Sequence, residues 1–170
     1  MATVEVGDLV DANLLELMNN PPVGRVLASG TQSMTHNTNT AVAFGAEDFD
    51  THSFHDIVTN NSRVTPTTGY AGYYEFHGAV FHGSRADYTT NDAFFRKNGT
   101  TLIPPGNRRQ PPLISGFQSV HTFCTVALDP ASSDYIELMG LQVNGASAAQ
   151  VTAFSGVLIC TMQWKFLRPL

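Results

Sequence analysis

The run His52-Ser-Phe-His55-Asp56 is where this chain first sets side chains of the right types close enough to do chemistry. A His-x-x-His pair holds zinc when a helix turns both rings to one side, or when further ligands converge on it. Asn and Thr crowd the neighbouring sequence and no helical period runs through it, so these histidines read as solvated or interface residues. Asp48, Asp50 and Asp56 offer the oxygens a calcium ion needs, but no EF-hand spacing supports that reading. Asp56 fits better as a carboxylate that orders its own loop by accepting backbone N–H bonds. Whether calcium binds there stays open at this level. Ser, His and Asp are all present, yet no Gly-x-Ser-x-Gly elbow exposes a nucleophile. No phosphate loop or dinucleotide fingerprint occurs either. His77, His82 and His121 fall in predicted strands, where a core or interface role is the ordinary one. The expectation is a protein that is not an enzyme, with no cofactor and no metal.

Composition narrows the partners. Charged residues make up 14% of the 170, against roughly 25% in an ordinary soluble domain. Lys97 and Lys165 are the only lysines. A surface so poor in charge is rich in Thr, Ser and Asn, or is partly hidden against copies of itself. The net charge of −5 gives no general attraction to nucleic acid. Nothing approaches the ~20 apolar residues of a membrane span. The first residues, Met1-Ala-Thr-Val-Glu-Val-Gly-Asp8, carry no basic leader and no apolar run, so the chain is expected to be made in a cytoplasm. Cys124 and Cys160 lie in predicted strands and read as small buried apolar residues rather than a bridge.

The elements that must position any site are mostly strands. Residues 64–95 alternate apolar and polar side chains and lead to Asn98-Gly99, the strongest short hairpin signal, because both residues accept positive φ. Strands are expected at residues 24–28, 40–44, 61–65, 72–82, 118–128, 135–141 and 154–164, with the stretch 47–51 as a loop. In 72–82, Tyr74, Phe76, Gly78 and Val80 share one face while Tyr73, Glu75, His77, Ala79 and Phe81 share the other. The stretch 154–164 has so little charge that it is expected to lie centrally in its sheet, with Leu158 in the core and Gly156 admitting a close neighbour. Eight to ten strands with turns about every ten residues indicate an all-β sandwich, most simply a jelly roll. Residues 1–22 stand apart from this domain of 23–170. A short helix over 8–18, capped by Asp8 or Asp11, ends at Asn19-Asn20-Pro21-Pro22. It either folds back on the domain or anchors it to a partner through Leu9, Leu14, Leu15, Leu17 and Met18. The anchor is preferred because Pro21-Pro22 makes a stiff spacer. Eleven Phe, five Tyr and one Trp exceed the inner positions of one sandwich. Tyr73, Phe81, Phe123 and Trp164 are therefore assigned to a contact between copies.

Several stretches in order resemble a family. Phe44, Glu47-Asp-Phe-Asp50, His55-Asp56, Asn61-Ser-Arg-Val-Thr-Pro66 and Ala71-Gly72-Tyr73-Tyr74-Glu-Phe76 are similar to the first half of the tumour-necrosis-factor-like, complement q-type jelly roll. Arg96-Lys97-Asn98-Gly99 resembles its hairpin, Asp134-Tyr-Ile-Glu-Leu138 a later strand, and Thr152-Ala-Phe154-Ser155-Gly156-Val-Leu158 its closing strand. The likeness spans about residues 40–159. It departs by lacking Gly-X-Y repeats and by an insertion at Gly69-Tyr70. Such domains are typically homotrimers with aromatic-lined strands about a three-fold axis, which the resemblance implies here. A short arm before such a module resembles tailed-phage virion proteins. That implies a trimeric capsid decoration or head-fibre protein on the virion surface, made in the host cytoplasm. Its arm would hold the major capsid protein or another virion protein. The alternative is a tail-tip or tail-fibre receptor-binding domain recognising host cell-surface glycan, with Tyr70 or Tyr88 stacking on sugar. A soluble cytokine-like ligand is the more distant reading, since no export signal precedes it.

Overall fold

A computed structural model describes residues 12–110, 117–152, 154–155 and 158–170. Leu9 lies outside the described residues, as do the side chains of Leu14 and Met18. Among the described residues, helix α1 (Ala12–Asn19) is followed by fourteen strands: β1 Val23–Leu27, β2 Ser33–Met34, β3 Thr40–Ala41, β4 Ala46–Asp50, β5 Arg63–Val64, β6 Gly72–His82, β7 Tyr88–Lys97, β8 Thr101–Gln110, β9 Gln118–Leu128, β10 Ile136–Asn144, β11 Gln150–Val151, β12 Phe154–Ser155, β13 Leu158–Ile159 and β14 Thr161–Pro169. Two antiparallel sheets face each other. Sheet I runs β4-β1-β14-β6-β9; sheet II runs β3-β10-β7-β8, with β5 added to β10. The fold is an all-β jelly-roll sandwich.

The period-two pattern of β6 builds its centre. Tyr74, Phe76 and Val80 are fully buried, while Gly78 brings the backbone up against Leu138 and Phe95 of sheet II. Phe76 meets Phe95 across the sandwich at 5.8 Å and Trp164 beside it at 6.5 Å. β6 and β9 pair over eleven residues in one unbroken register. The hairpin between β7 and β8 turns through residues 98–100, with Asn98 (φ 53°) and Gly99 (φ 71°) both in the left-handed region and the Thr100 amide donating to the Lys97 carbonyl at 3.2 Å. Asn98 also ties the hairpin down: its Nδ2 donates to Asp134 Oδ1 at 2.8 Å and its Oδ1 accepts from the Tyr135 amide at 2.9 Å.

Four expectations need correcting. The stretch 47–51 is not a loop but most of β4, an edge strand paired with β1. Its Glu47, Asp48 and Phe49 are all exposed, so no buried face imprints an alternation, and edge charges of this kind discourage further pairing. The stretch 154–164 is not one strand. β12 folds onto β13 in a two-residue pairing, and only the part from Thr161 onward lies centrally, between β1 and β6. Leu158 is consequently half-buried rather than core, and Gly156 lies outside the described residues. Trp164 is not a contact residue between copies. It pairs with Phe76 and points inward, 3% exposed. Finally, Pro21-Pro22 is not a free spacer: Pro22 is buried and its carbonyl accepts the Phe166 amide at 2.9 Å. Leu17, assigned to anchoring, is buried at 7% exposure, which matches the helix folding back on its own domain.

Candidate interaction surface

Register decides which side chains share the outer face of sheet I. His77 of β6 stands opposite Phe123 of β9 and Gln163 of β14; Glu75 stands opposite Thr125 and Lys165. The result is a mixed aromatic and polar patch. Phe123 is 46% exposed and stacks on the His77 ring at 6.2 Å. The Glu75 carboxylate meets His77 Nε2 and Lys165 Nζ, each at 2.9 Å. Those bonds, Lys165 first and then His77, hold the Glu75 carboxyl below its usual range. Beside them Phe49, exposed on β4, borders a groove of about 420 Å³ with Glu75, His77, Gln163 and Lys165. Tyr73 is half-buried beneath the Arg168 guanidinium, 4.0 Å from its centroid, and Phe81 is half-buried, edge-on to His121. Tyr73, Phe81 and Phe123 thus lie on one outer face, and only Phe123 presents a large free surface.

One end of the sandwich is the second candidate. β1 begins there, with Val23 opposite Lys165, and β14 finishes there, with Pro169 opposite Gly72. Helix α1, the C-terminus and residues 51–62, which run from sheet I to sheet II, therefore gather at that end. Leu15, Ile57, Val58, Leu167 and Leu170 are all exposed, Val58 at 82%. Asp56 braces the Ile57-Val58 tip, its Oδ1 accepting the amides of Val58 (2.8 Å) and Thr59 (3.0 Å). The same bonds, Thr59 first, lower the Asp56 carboxyl. Sequence reasoning foresaw the Asp56 turn but missed the apolar tip and Phe49. Neither carries a period, and only the Asp-x-x-Thr turn signal marked the spot.

The metal candidates disperse. Asp48 pairs with Arg25 at 3.3 Å, and Asp50 accepts the amides of His52 and His55. His55 meets Glu47 Oε1 at 2.9 Å and the Asn61 carbonyl at 3.0 Å, while His52 Nδ1 meets Thr51 Oγ1. Among the described residues no three potential ligands converge. Tyr88 is buried, its hydroxyl donating to the Gly83 carbonyl, and Tyr70 is packed edge-on against His52 at 4.6 Å. Tyr88 is therefore not available to stack on a sugar. Cys124 and Cys160 are buried free thiols, pushed by burial up to about 12 and about 11. Thiols held so far from ionisation are poor nucleophiles.

Solved structures identify the architecture. The globular domain of zebrafish complement 1qA aligns with 88% of this chain and 99% of its own, at TM-score 0.59 and 11% identity. Murine APRIL aligns over 86% and 99%, at TM-score 0.63 and 11% identity. The fold is the TNF/C1q-like jelly roll. Eiger TNF from S. frugiperda is similar too, at TM-score 0.58 and 11% identity over 88% of this chain and 95% of its own. At such identities the likeness concerns the fold alone. No protein-family model and no curated protein sequence matches the chain.

Proposed function

We propose that this is a non-enzymatic, homotrimeric structural protein on the surface of a tailed-phage virion, a capsid decoration or head-fibre protein. Copies associate through the outer face of sheet I. The end bearing α1, the C-terminus and the Ile57-Val58 tip faces the particle, where the major capsid protein or another virion protein receives it. The observation that carries self-association is Phe123, half-exposed on an ordered strand and stacked on His77 beside the Phe49 groove. Exposed aromatic rings set among polar groups on a strand face are enriched at interfaces. The phage assignment rests on the resemblance of the short arm and jelly roll to virion proteins. A hydrogen-bonded turn that holds Val58 out in water supports docking at that end, since a preorganised contact loses little entropy on binding.

Light scattering at micromolar concentration is expected to give three times the chain mass; a monomer overturns the reading. Purified protein is expected to bind undecorated capsids and not host cells. Binding to host cells instead favours the tail receptor-binding alternative. Replacing both Ile57 and Val58 with Ser should leave the trimer intact and abolish capsid binding.

A further inference from the structure

The core changes character at the end of the sandwich away from α1. Its middle is apolar, filled by Phe76, Val80, Phe95 and Leu138. At the far end the inward positions belong to His82, the last residue of β6, to Gln118, the first of β9, and to Asn91 of β7. All three are essentially sealed from solvent, at 1%, 1% and 0% exposure. His82 and Gln118 are register partners. Asn91 Nδ2 donates to Gln118 Oε1, which leaves Asn91 Oδ1 and Gln118 Nε2 without partners. Exchanging N and O in both amides reverses the bond and still orphans one donor and one acceptor. Both ring nitrogens of His82 are unpartnered as well. The ring lies edge-on to Tyr88, whose hydroxyl is already given to Gly83.

The charged groups nearby offer the ring no counter-ion. On β7, the Asp92 backbone lies close enough to the His82 ring to favour its protonated form, but less than burial disfavours it, and the register partner of Asp92 across β8 is Arg109. In the turn after β6, Arg85 and Asp87 pair with each other. β9 contributes Gln118 on the inner face and His121 on the outer, and Gln150, Val151 and Thr152 bring no charge. Among the described residues, then, no carboxylate reaches His82.

Among the described residues, what closes this end is slight. His82 forms a single bridge to Thr152, and the Gly83 amide donates to the Val151 carbonyl at 2.9 Å. Thr152 is held in turn by Gln32, through two bonds of 2.8 Å, and the β2–β11 pairing is two residues long. Beside the eleven-residue pairing of β6 with β9, such a segment opens locally at low cost.

We propose that His82 is an acid-operated latch: a proton taken up by its ring can be neither hydrated nor neutralised by a carboxylate while this end is closed, so uptake releases the segment around Thr152 and opens the end while both sheets stay folded. Burial already depresses proton binding to the closed form, to about 4 against 6.5 for a free imidazole. The closed form is therefore fully favoured above about pH 6.5 and loses ground as pH falls toward 4. At pH 4.5 the two values correspond to a shift toward the open form on the order of eightyfold.

Hydrogen exchange on the full chain at pH 7 and pH 4.5, corrected for intrinsic rates, tests this. In the wild type, peptides covering residues 81–84 and 150–152 are expected to lose protection at the lower pH by tenfold or more. Peptides from β14 should not, and His82→Gln and His82→Phe should abolish the response. Equal loss in wild type and variants overturns the latch, as does loss spread evenly over β6, β9 and β14. Should neither variant fold, an NMR titration of the wild-type His82 ring decides. A midpoint between 4 and 5, with coincident exchange of the Gly83 amide, supports the latch, and a midpoint near 6.5 overturns it.

Discussion

Replacing Gly24 with Ala is a one-methyl perturbation aimed at the place where sheet I is packed most tightly. Gly24 of β1 pairs with Trp164 of β14, and the indole occupies the space where a Gly24 side chain would stand. A Cβ there would sit under 3.0 Å from three indole atoms, Cζ2, Cη2 and Cε2. The ring is 3% exposed and backed by Phe76 at 6.5 Å, so the groove that it lines with Gly24 and Phe49 is the side toward which it can yield. Overpacking of a rigid ring costs about 1–3 kcal/mol. At roughly 2–4 °C per kcal/mol for a chain of this size, Tm should fall by about 2–12 °C. Trp164 is the only tryptophan, so its fluorescence reports both the melt and any movement of the ring. The decisive measurement is the cycle with Trp164→Phe. A smaller ring leaves space for the methyl, so Gly24→Ala should cost at least about 1 kcal/mol less in that background. If the two substitutions simply add, or if Gly24→Ala melts within a degree of wild type, the indole does not fill the space described. The inward placement of Trp164 would then be wrong.

Phe123→Ser should lower the self-associated mass seen by light scattering without lowering the stability of the single chain, because the ring is half-exposed; an unchanged mass would remove Phe123 from the interface. Asp134→Ala removes acceptors for Lys97 Nζ (2.6 Å), Asn98 Nδ2 and the Asp129 amide, and should cost about 1–3 kcal/mol in chemical denaturation. Burial opposes ionisation of Asp134, but Lys97, Asn98 and the Asp129 amide outweigh it and keep its pKa low. The wild-type advantage should therefore hold above the usual carboxylate pKa and vanish as pH falls through the depressed one. His82 binds its proton more weakly while its end is closed, so stability should decline as pH falls from about 6.5 toward 4, by no more than the cost of opening that end, and His82→Gln should flatten that limb of the melting profile.

Local order was written plainly in the chain. Residues 72–82 and 118–128 alternate side chains so regularly that the bounds of β6 and β9 follow from the period alone. Asn98-Gly99 announces its turn because few other pairs accept two positive φ angles at no steric cost. Both signals are properties of neighbouring residues and survive without a partner. The jelly-roll class follows from them, since many short strands with frequent turns have few ways to bury one face each.

What joins distant strands was not legible. Trp164 and Tyr73 look equally suited to an outer face until register sets Trp164 against Phe76, which fixes its side as inward. β4 escapes notice because a strand with no buried face leaves no period. His82, Asn91 and Gln118 look unrelated along the chain. They become a sealed polar cluster only when β6, β7 and β9 end at the same level. The tetrad of Glu75, His77, Lys165 and Phe123 likewise comes from three strands. Sequence determines the period within each strand because that depends on neighbours; the phase between strands, and hence every site here, depends on contacts between residues far apart and is decided only when the two sheets close on each other.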